Sequence, residues 1–127
     1  MKKIAFFFVF VACIILFSPS QRCAAEDIWV DHWEDVGYDI YVMNDTIVKG
    51  HNADYISFMV TVKQVEDDTL TNVLVCQFQK WPGDAWRMRN SESEGTNFSA
   101  VACHDPIYEY CMNRLGWEYT TDNGLYY

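Results

Sequence analysis

"YISFMVTVKQV", residues 55–65, decides the fold. Ile56, Phe58, Val60 and Val62 alternate with Ser57, Met59, Thr61 and Lys63, the period of two that marks a strand with one face buried. "EDDT" (66–69) reads as a charged turn. "LTNVLVCQFQK" (70–80) then returns, with Leu74, Cys76 and Phe78 on one face. "WPGD" (81–84) holds a Pro-Gly pair, a strong turn signal. "AWRMRN" (85–90) alternates again, setting Trp86 and Met88 opposite Arg87 and Arg89. Connections of about four residues make these three strands an antiparallel meander.

Working outward, "DIYVM" (39–43) and "DTIVK" (45–49) read as strand on either side of a kink at "ND", with "GHNAD" (50–54) turning into the long strand. "DIWVDHW" (27–33) is a further edge strand, "SESEGTN" (91–97) a polar loop and "FSAVA" (98–102) a short strand. Asp105 then offers an N-cap and Pro106 suits the first helical position. Glu109 falls in the positive first turns, and Gly116 supplies the stop. The helix therefore spans residues 106–115, with Ile107, Tyr110, Cys111 and Leu115 as its apolar stripe. "DNG" turns the chain back within "WEYTTDNGLYY" (117–127). The expected class is α+β: an antiparallel meander sheet of about five to six strands with one C-terminal helix packed on one face.

The amino terminus reads as an export signal. Lys2 and Lys3 precede an uncharged run from Ile4 to Phe17, and "CAA" ends at Ala25 before an acidic start. The run of 14 residues is short of the ~20 that cross a bilayer. Cys13 is followed at once by "IILF", and Cys23 follows Arg22; neither is a good lipid-attachment site. Residues 1–25 are thus expected to be a cleaved signal, and residues 26–127 one small domain that is secreted, periplasmic or at the cell surface, without stable membrane insertion. Without the signal, six Lys and Arg face 18 Asp and Glu, a net charge of −12. Nucleic acid is a poor partner for such a chain, because phosphate binding needs clustered cations. Anionic membrane surfaces repel it as well.

"CHDPIYEYC" (103–111) raises the question of chemistry. Asp105 is engaged in capping and His104 adjoins it, whereas members of a catalytic triad come from separated chain positions. Pairs such as His32 with Glu34, or His104 with Asp105, do not stand out from background. No catalytic residue, cofactor or metal ligand is therefore assigned. Zinc sites favour paired CxxC or HxxxH spacings, and the clusters "DHWED", "VEDD" and "SESEG" lack the spacing of a calcium loop. Three cysteines remain after signal removal. Cys103–Cys111 is a candidate staple across the helix start, Cys76–Cys111 an alternative that ties strand to helix, and three buried thiols a third option. The sequons at Asn44 and Asn97 are accidental in a bacterial host.

The segment "YDIYVMNDTIVKGHNADYISFMVTVKQV" (38–65) has a "YV" strand, Asp and Thr, an Ile-containing continuation, a polar turn and a long "SFMVTVK" strand. It resembles the first half of the small exported domains grouped with surface-adhesin protein E of Gram-negative bacteria. That resemblance implies a surface or periplasmic location and adhesion to host matrix proteins; no functional residue carries over. From composition, the expectation is a binding or surface-interaction protein rather than an enzyme, with a protein or glycan partner. Tyr38, Tyr41 and Tyr55 are candidate contact residues, since Tyr and Trp dominate hot spots. Trp81 and Trp86 at the "WPGD" hairpin are the strongest candidates, because a Trp at a turn is harder to bury. A secreted enzyme using scattered acid–His pairs, and a homo-oligomer assembling through a sheet edge or leftover thiol, are the alternatives.

Overall fold

The computed structural model describes residues 27–92 and 97–127; the signal expected over residues 1–25 lies outside these, as does the centre of the 91–97 loop. The main sheet is antiparallel and has seven strands: β1 (Asp27–Trp33), β2 (Tyr38–Met43), β3 (Val48–Lys49), β4 (Ile56–Glu66), β5 (Thr69–Lys80), β6 (Arg87–Asn90) and β7 (Ser99–Ala100). A helix α1 (Pro106–Leu115) follows, and a two-stranded hairpin of β8 (Thr121–Asp122) and β9 (Leu125–Tyr126) closes the chain. The sheet is wider than the expected five to six strands because the turn at Asn44–Thr46 divides the 39–49 stretch into β2 and a separate two-residue β3, while the strand expected in "FSAVA" is reduced to the two-residue β7.

The order β1-β2-β4-β5-β6-β7 puts β4 and β5 at the centre, and they pair from Ile56↔Lys80 to Glu66↔Thr69. Their turn places Asp67 and Asp68 at φ 47° and 63°, the left-handed pair that a two-residue hairpin of matching twist demands. The other edge of β4 is shared. β2 pairs with its Val62–Val65 half and β3 with Phe58 and Met59. Between them the chain leaves the ladder in a 3-10 turn, Asn44–Thr46. Thr61 N–H would be orphaned there, but it donates to Thr46 Oγ1 at 2.8 Å, and that hydroxyl donates onward to Met43 O at 2.7 Å. A side chain thus replaces the missing backbone partner.

One face of the sheet is closed. Ile40, Val42, Phe58, Val60, Val62, Cys76 and Phe78 are all 2% exposed or less, and α1 lies against them through Ile107, Tyr108, Cys111 and Met112. The helix starts and stops on local chemistry. Asp105 accepts from Tyr108 N–H, and Gly116 ends it at φ 72°, a backbone conformation that costs glycine little. The buried stripe includes Tyr108 and Met112, while the expected Tyr110 and Leu115 are only partly buried. The rotation has a reason: Tyr110 O–H and Arg114 Nε both donate to Asn44 Oδ1 at 2.8 Å, which holds that side of the helix against the 3-10 turn.

Trp86 was expected at the surface and is instead a core residue, 1% exposed. Two backbone hydrogen bonds draw it in, from Trp86 N to Tyr126 O (2.9 Å) and from Val101 N to Trp86 O (3.0 Å). Its indole packs against Phe58, Tyr108 and Trp117 at centroid distances of 5.5–6.3 Å.

Candidate functional site

Alternation along β4 and β5 sends the other half of their side chains to the opposite face, and no helix lies over it among the described residues. Register identifies what stands there: Trp29 beside Tyr41, Tyr41 beside Lys63, Lys63 beside Val73, and Val48 beside Met59, Gln77 and Arg89. A half-solvated antiparallel sheet ordinarily shows polar residues on this side. Here Trp29, Val48, Met59, Val73, Val75 and Trp81 are each at least 37% exposed. Those six of the ten large exposed apolar residues make this open face the least water-adapted part of the described surface.

The β3 end of the open face contains a groove of about 280 Å³. Ser57, Met59, Gln77, Gln79 and Arg89 supply its floor and one wall, with Tyr55 and Phe98 at its margins. Tyr55 packs on Trp81 at a centroid distance of 4.6 Å, the rings tilted by 39°. Arg89 Cζ lies 4.8 Å from the Phe98 ring centroid, a cation–π arrangement. Arg89 Nε donates to Gln77 Oε1 at 2.6 Å. This fixes the amide, so that Gln77 Nε2 turns to Met59 Sδ at 3.1 Å, a weak acceptor. Gly50 brings the backbone close: a Cβ there would come 2.0 Å from Ser57 Oγ. A second, more open hollow of about 250 Å³ shares Tyr55 and lies round the end of the sheet, bordered by Asp54, Pro82 and the Ile56–Lys80 pair, which alternates in phase with the core pair Phe58–Phe78.

Sequence reasoning named Tyr38, Tyr41, Tyr55, Trp81 and Trp86. The structure places Tyr55 in the groove lining with Trp81 packed on it, outside the lining, and sets Tyr41 on the same face. Tyr38 packs against the core on the other side, with Trp86 inside it. Gln77, Gln79 and Arg89 were missed as site residues, since exposed amides on a strand look like ordinary decoration until register aligns them. At the far end of the open face, His32 Nδ1 and Trp29 Nε1 both lie 3.0 Å from Asp39 Oδ1. Those two hydrogen bonds, the Trp29 one foremost, hold the Asp39 carboxyl below its ordinary range. His32 is thus paired with Asp39 rather than with Glu34.

"CHDPIYEYC" resolves into structure. Asp105 caps the helix, and its carboxyl is pushed up chiefly by burial. His104 projects outward with its side chain 88% exposed and its Nδ1 3.5 Å from Glu109 Oε2. Cys103 is half-buried beside the Thr121–Gly124 turn, while Cys111 points into the core and is 0% exposed. Cys76, Cys103 and Cys111 are all free thiols, so neither the Cys103–Cys111 staple nor its Cys76 alternative is formed here. Burial pushes the Cys76 and Cys111 thiols up to about 12, as expected of apolar core cysteines.

Among the described residues, no group of three or more His, Cys, Asp and Glu is arranged to hold a metal ion, and no helix is long and apolar enough to cross a membrane. No family model, curated protein or solved structure matches the chain.

Proposed function

We propose that this protein is a small exported interaction module without catalytic activity, working through the open face of its sheet. What carries the reading is the asymmetry of the two faces. Helix α1 closes one, while six exposed large apolar side chains crowd the other, a density that marks interaction surfaces. The Tyr55–Trp81 pair supplies the aromatic contact area typical of binding hot spots. Export rests on the basic, apolar and small-residue segments of residues 1–25. The likeness of residues 38–65 to the surface-adhesin protein E domains points to the same place, the envelope or cell surface, and to adhesion as the task.

The test is a binding panel of purified matrix proteins and glycans, read by biolayer interferometry. A partner should lose at least about tenfold in affinity with Val75→Asp or Tyr41→Ala, both on the open face, a loss typical of contact residues. Asn113→Ala, on the exposed side of the helix, should leave it unchanged. A partner indifferent to both open-face substitutions contradicts the reading. The same apolar residues also favour a second reading, self-assembly through this face. Sedimentation of the wild type and of Val75→Asp separates the two, since only self-assembly gives a concentration-dependent mass that the substitution abolishes.

A further inference from the structure

We infer that the groove beside Tyr55 is a saccharide site, taking consecutive rings of a glycan chain. The inference rests on the open-face reading and names the ligand class for one end of that face.

Three features of the site converge on an oxygen-rich ligand with a flat apolar side. The first is Tyr55, which lines both hollows, with Trp81, 41% exposed, packed against its ring and extending the aromatic surface beyond them. An aromatic surface held at a rim, with the C–H face of a pyranose laid upon it, buries apolar area on both partners while the ring hydroxyls stay free. The second is a set of hydrogen-bonding side chains aligned by register. Ser57 stands opposite Gln79, and Met59 opposite Gln77, so a hydroxyl and two amides line one short stretch of sheet. Because Arg89 occupies Gln77 Oε1, Gln77 Nε2 faces the groove with only a thioether as acceptor. A sugar hydroxyl is a much better acceptor, and exchanging sulfur for oxygen there gains a hydrogen bond at little reorganisation.

The third feature is size and repetition. The groove, at about 280 Å³, lies just below the roughly 300–1,000 Å³ of drug-sized sites and suits a single ring. The hollow of about 250 Å³ that shares Tyr55 lies round the end of the sheet and offers room for the next one, with Tyr55 as the rib between them. Asp54 borders the second hollow and Asp84 shares a turn with Trp81, but the acidic residues of the other sheet tip stand far away. Glu34, Asp35, Glu66, Asp67 and Asp68 sit on the β1–β2 and β4–β5 turns, at the opposite end of β4. The stretch of β4 from Ser57 and Met59 in the groove lining to Glu66 puts them about 23–30 Å from the groove, about three times the screening length of ~8 Å at physiological salt. The lining of the first groove holds no carboxylate among the described residues, so the chain's net charge does not bar an acidic sugar there, and Arg87 and Arg89 on β6 lie alongside.

Two probes, cellohexaose and a galacturonate hexamer, separate neutral from acidic glycans in an NMR titration of the full exported chain. The expected result is a shift of the Trp81 indole N–H with one or both, at a dissociation constant of about 1 mM or tighter. Trp81→Ala and Gln79→Ala, both at the surface, should each weaken that binding about tenfold, and Asn113→Ala should not. No Trp81 shift with either sugar up to about 20 mM, a saturating excess over such a constant, overturns the inference. So does sugar binding that survives both substitutions. Either failure leaves the open-face reading intact, because Val75 and Tyr41 lie outside both hollows and test that reading separately.

Discussion

Tyr108 and Tyr126 pack with ring centroids 4.2 Å apart, and both rings are fully buried. Their hydroxyls nevertheless have opposite circumstances. Tyr126 O–H accepts from Asp105 N–H at 2.8 Å and donates to the Glu109 carboxylate. Tyr108 O–H, also buried, has no hydrogen-bond partner among the described residues. The same substitution, Tyr→Phe, therefore gives two different outcomes in one patch of core. Tyr126→Phe removes a neutral hydrogen bond worth about 1 kcal/mol and one to a charged group worth about 1.5–3 kcal/mol. Glu109 keeps 35% of its side chain in water, which offsets part of that loss, so the net cost is about 2–3 kcal/mol. For a domain of about 100 residues this lowers the melting temperature by roughly 10–20 °C. Tyr108→Phe instead relieves a hydroxyl whose unpaired burial costs about 1–3 kcal/mol. That variant should match the wild type or exceed it by about 1 kcal/mol. Urea unfolding followed by circular dichroism reads both, with an unchanged slope certifying that only stability moved. A Tyr126→Phe variant within about 0.5 kcal/mol of wild type, or a Tyr108→Phe variant destabilised as much as Tyr126→Phe, would refute the assignment of these two hydroxyls.

Three further outcomes follow from the same structure. Thr46→Val strands the Thr61 N–H between β2 and β3 and should cost about 1–3 kcal/mol, with faster hydrogen exchange at Thr61; Thr46→Ser keeps the hydroxyl and should restore protection of that amide. Asp105→Asn preserves a good N-cap and removes a carboxyl whose pKa is raised in the fold chiefly by burial. A raised acid favours the folded state below its unfolded pKa of about 3.9 and loses that advantage as pH climbs through its folded pKa. The stability of Asp105→Asn relative to wild type should accordingly improve from pH 3 upward, checked by urea midpoints across that range; a difference that is flat or of opposite slope contradicts it. Brief maleimide treatment of the folded protein should modify Cys103 alone, since burial holds Cys76 and Cys111 as thiols with pKa values of about 12. Denaturation without reductant should then expose the other two, and an intact mass showing fewer than three modified cysteines contradicts the free-thiol arrangement.

Much of this fold was legible in local chemistry. The alternation of residues 55–65, the two-residue turn at Asp67–Asp68 and the Asp105–Pro106 start with its Gly116 stop are each decided by neighbours in the chain, and each is where the sequence puts it. What escaped depends on distant partners. Trp86 looked like a turn residue because nothing near it tells that β9 will bond to its backbone. Asn44, part of a kink in sequence, becomes the anchor for Tyr110 and Arg114, and so rotates the buried stripe of α1 toward Tyr108 and Met112. Thr46 resembles any strand threonine until β4 needs a substitute acceptor. The candidate site divides the same way. Tyr55 and Trp81 stood out as aromatics, but their stacking and the amides beside them arise only from the β4–β5 register.

The central claim is that the open face, and not the helix side, is the working surface. It is tested most directly by blocking each side in turn. In a Cys103→Ser background, Val75→Cys on the open face and Asn113→Cys on the exposed side of α1 are each coupled to a bulky maleimide. Binding is then measured against whichever matrix protein or glycan the wild type retains. The account predicts that the label at position 75 abolishes binding and the label at position 113 leaves it unchanged. Binding that persists with position 75 blocked, or that fails with position 113 blocked, contradicts it.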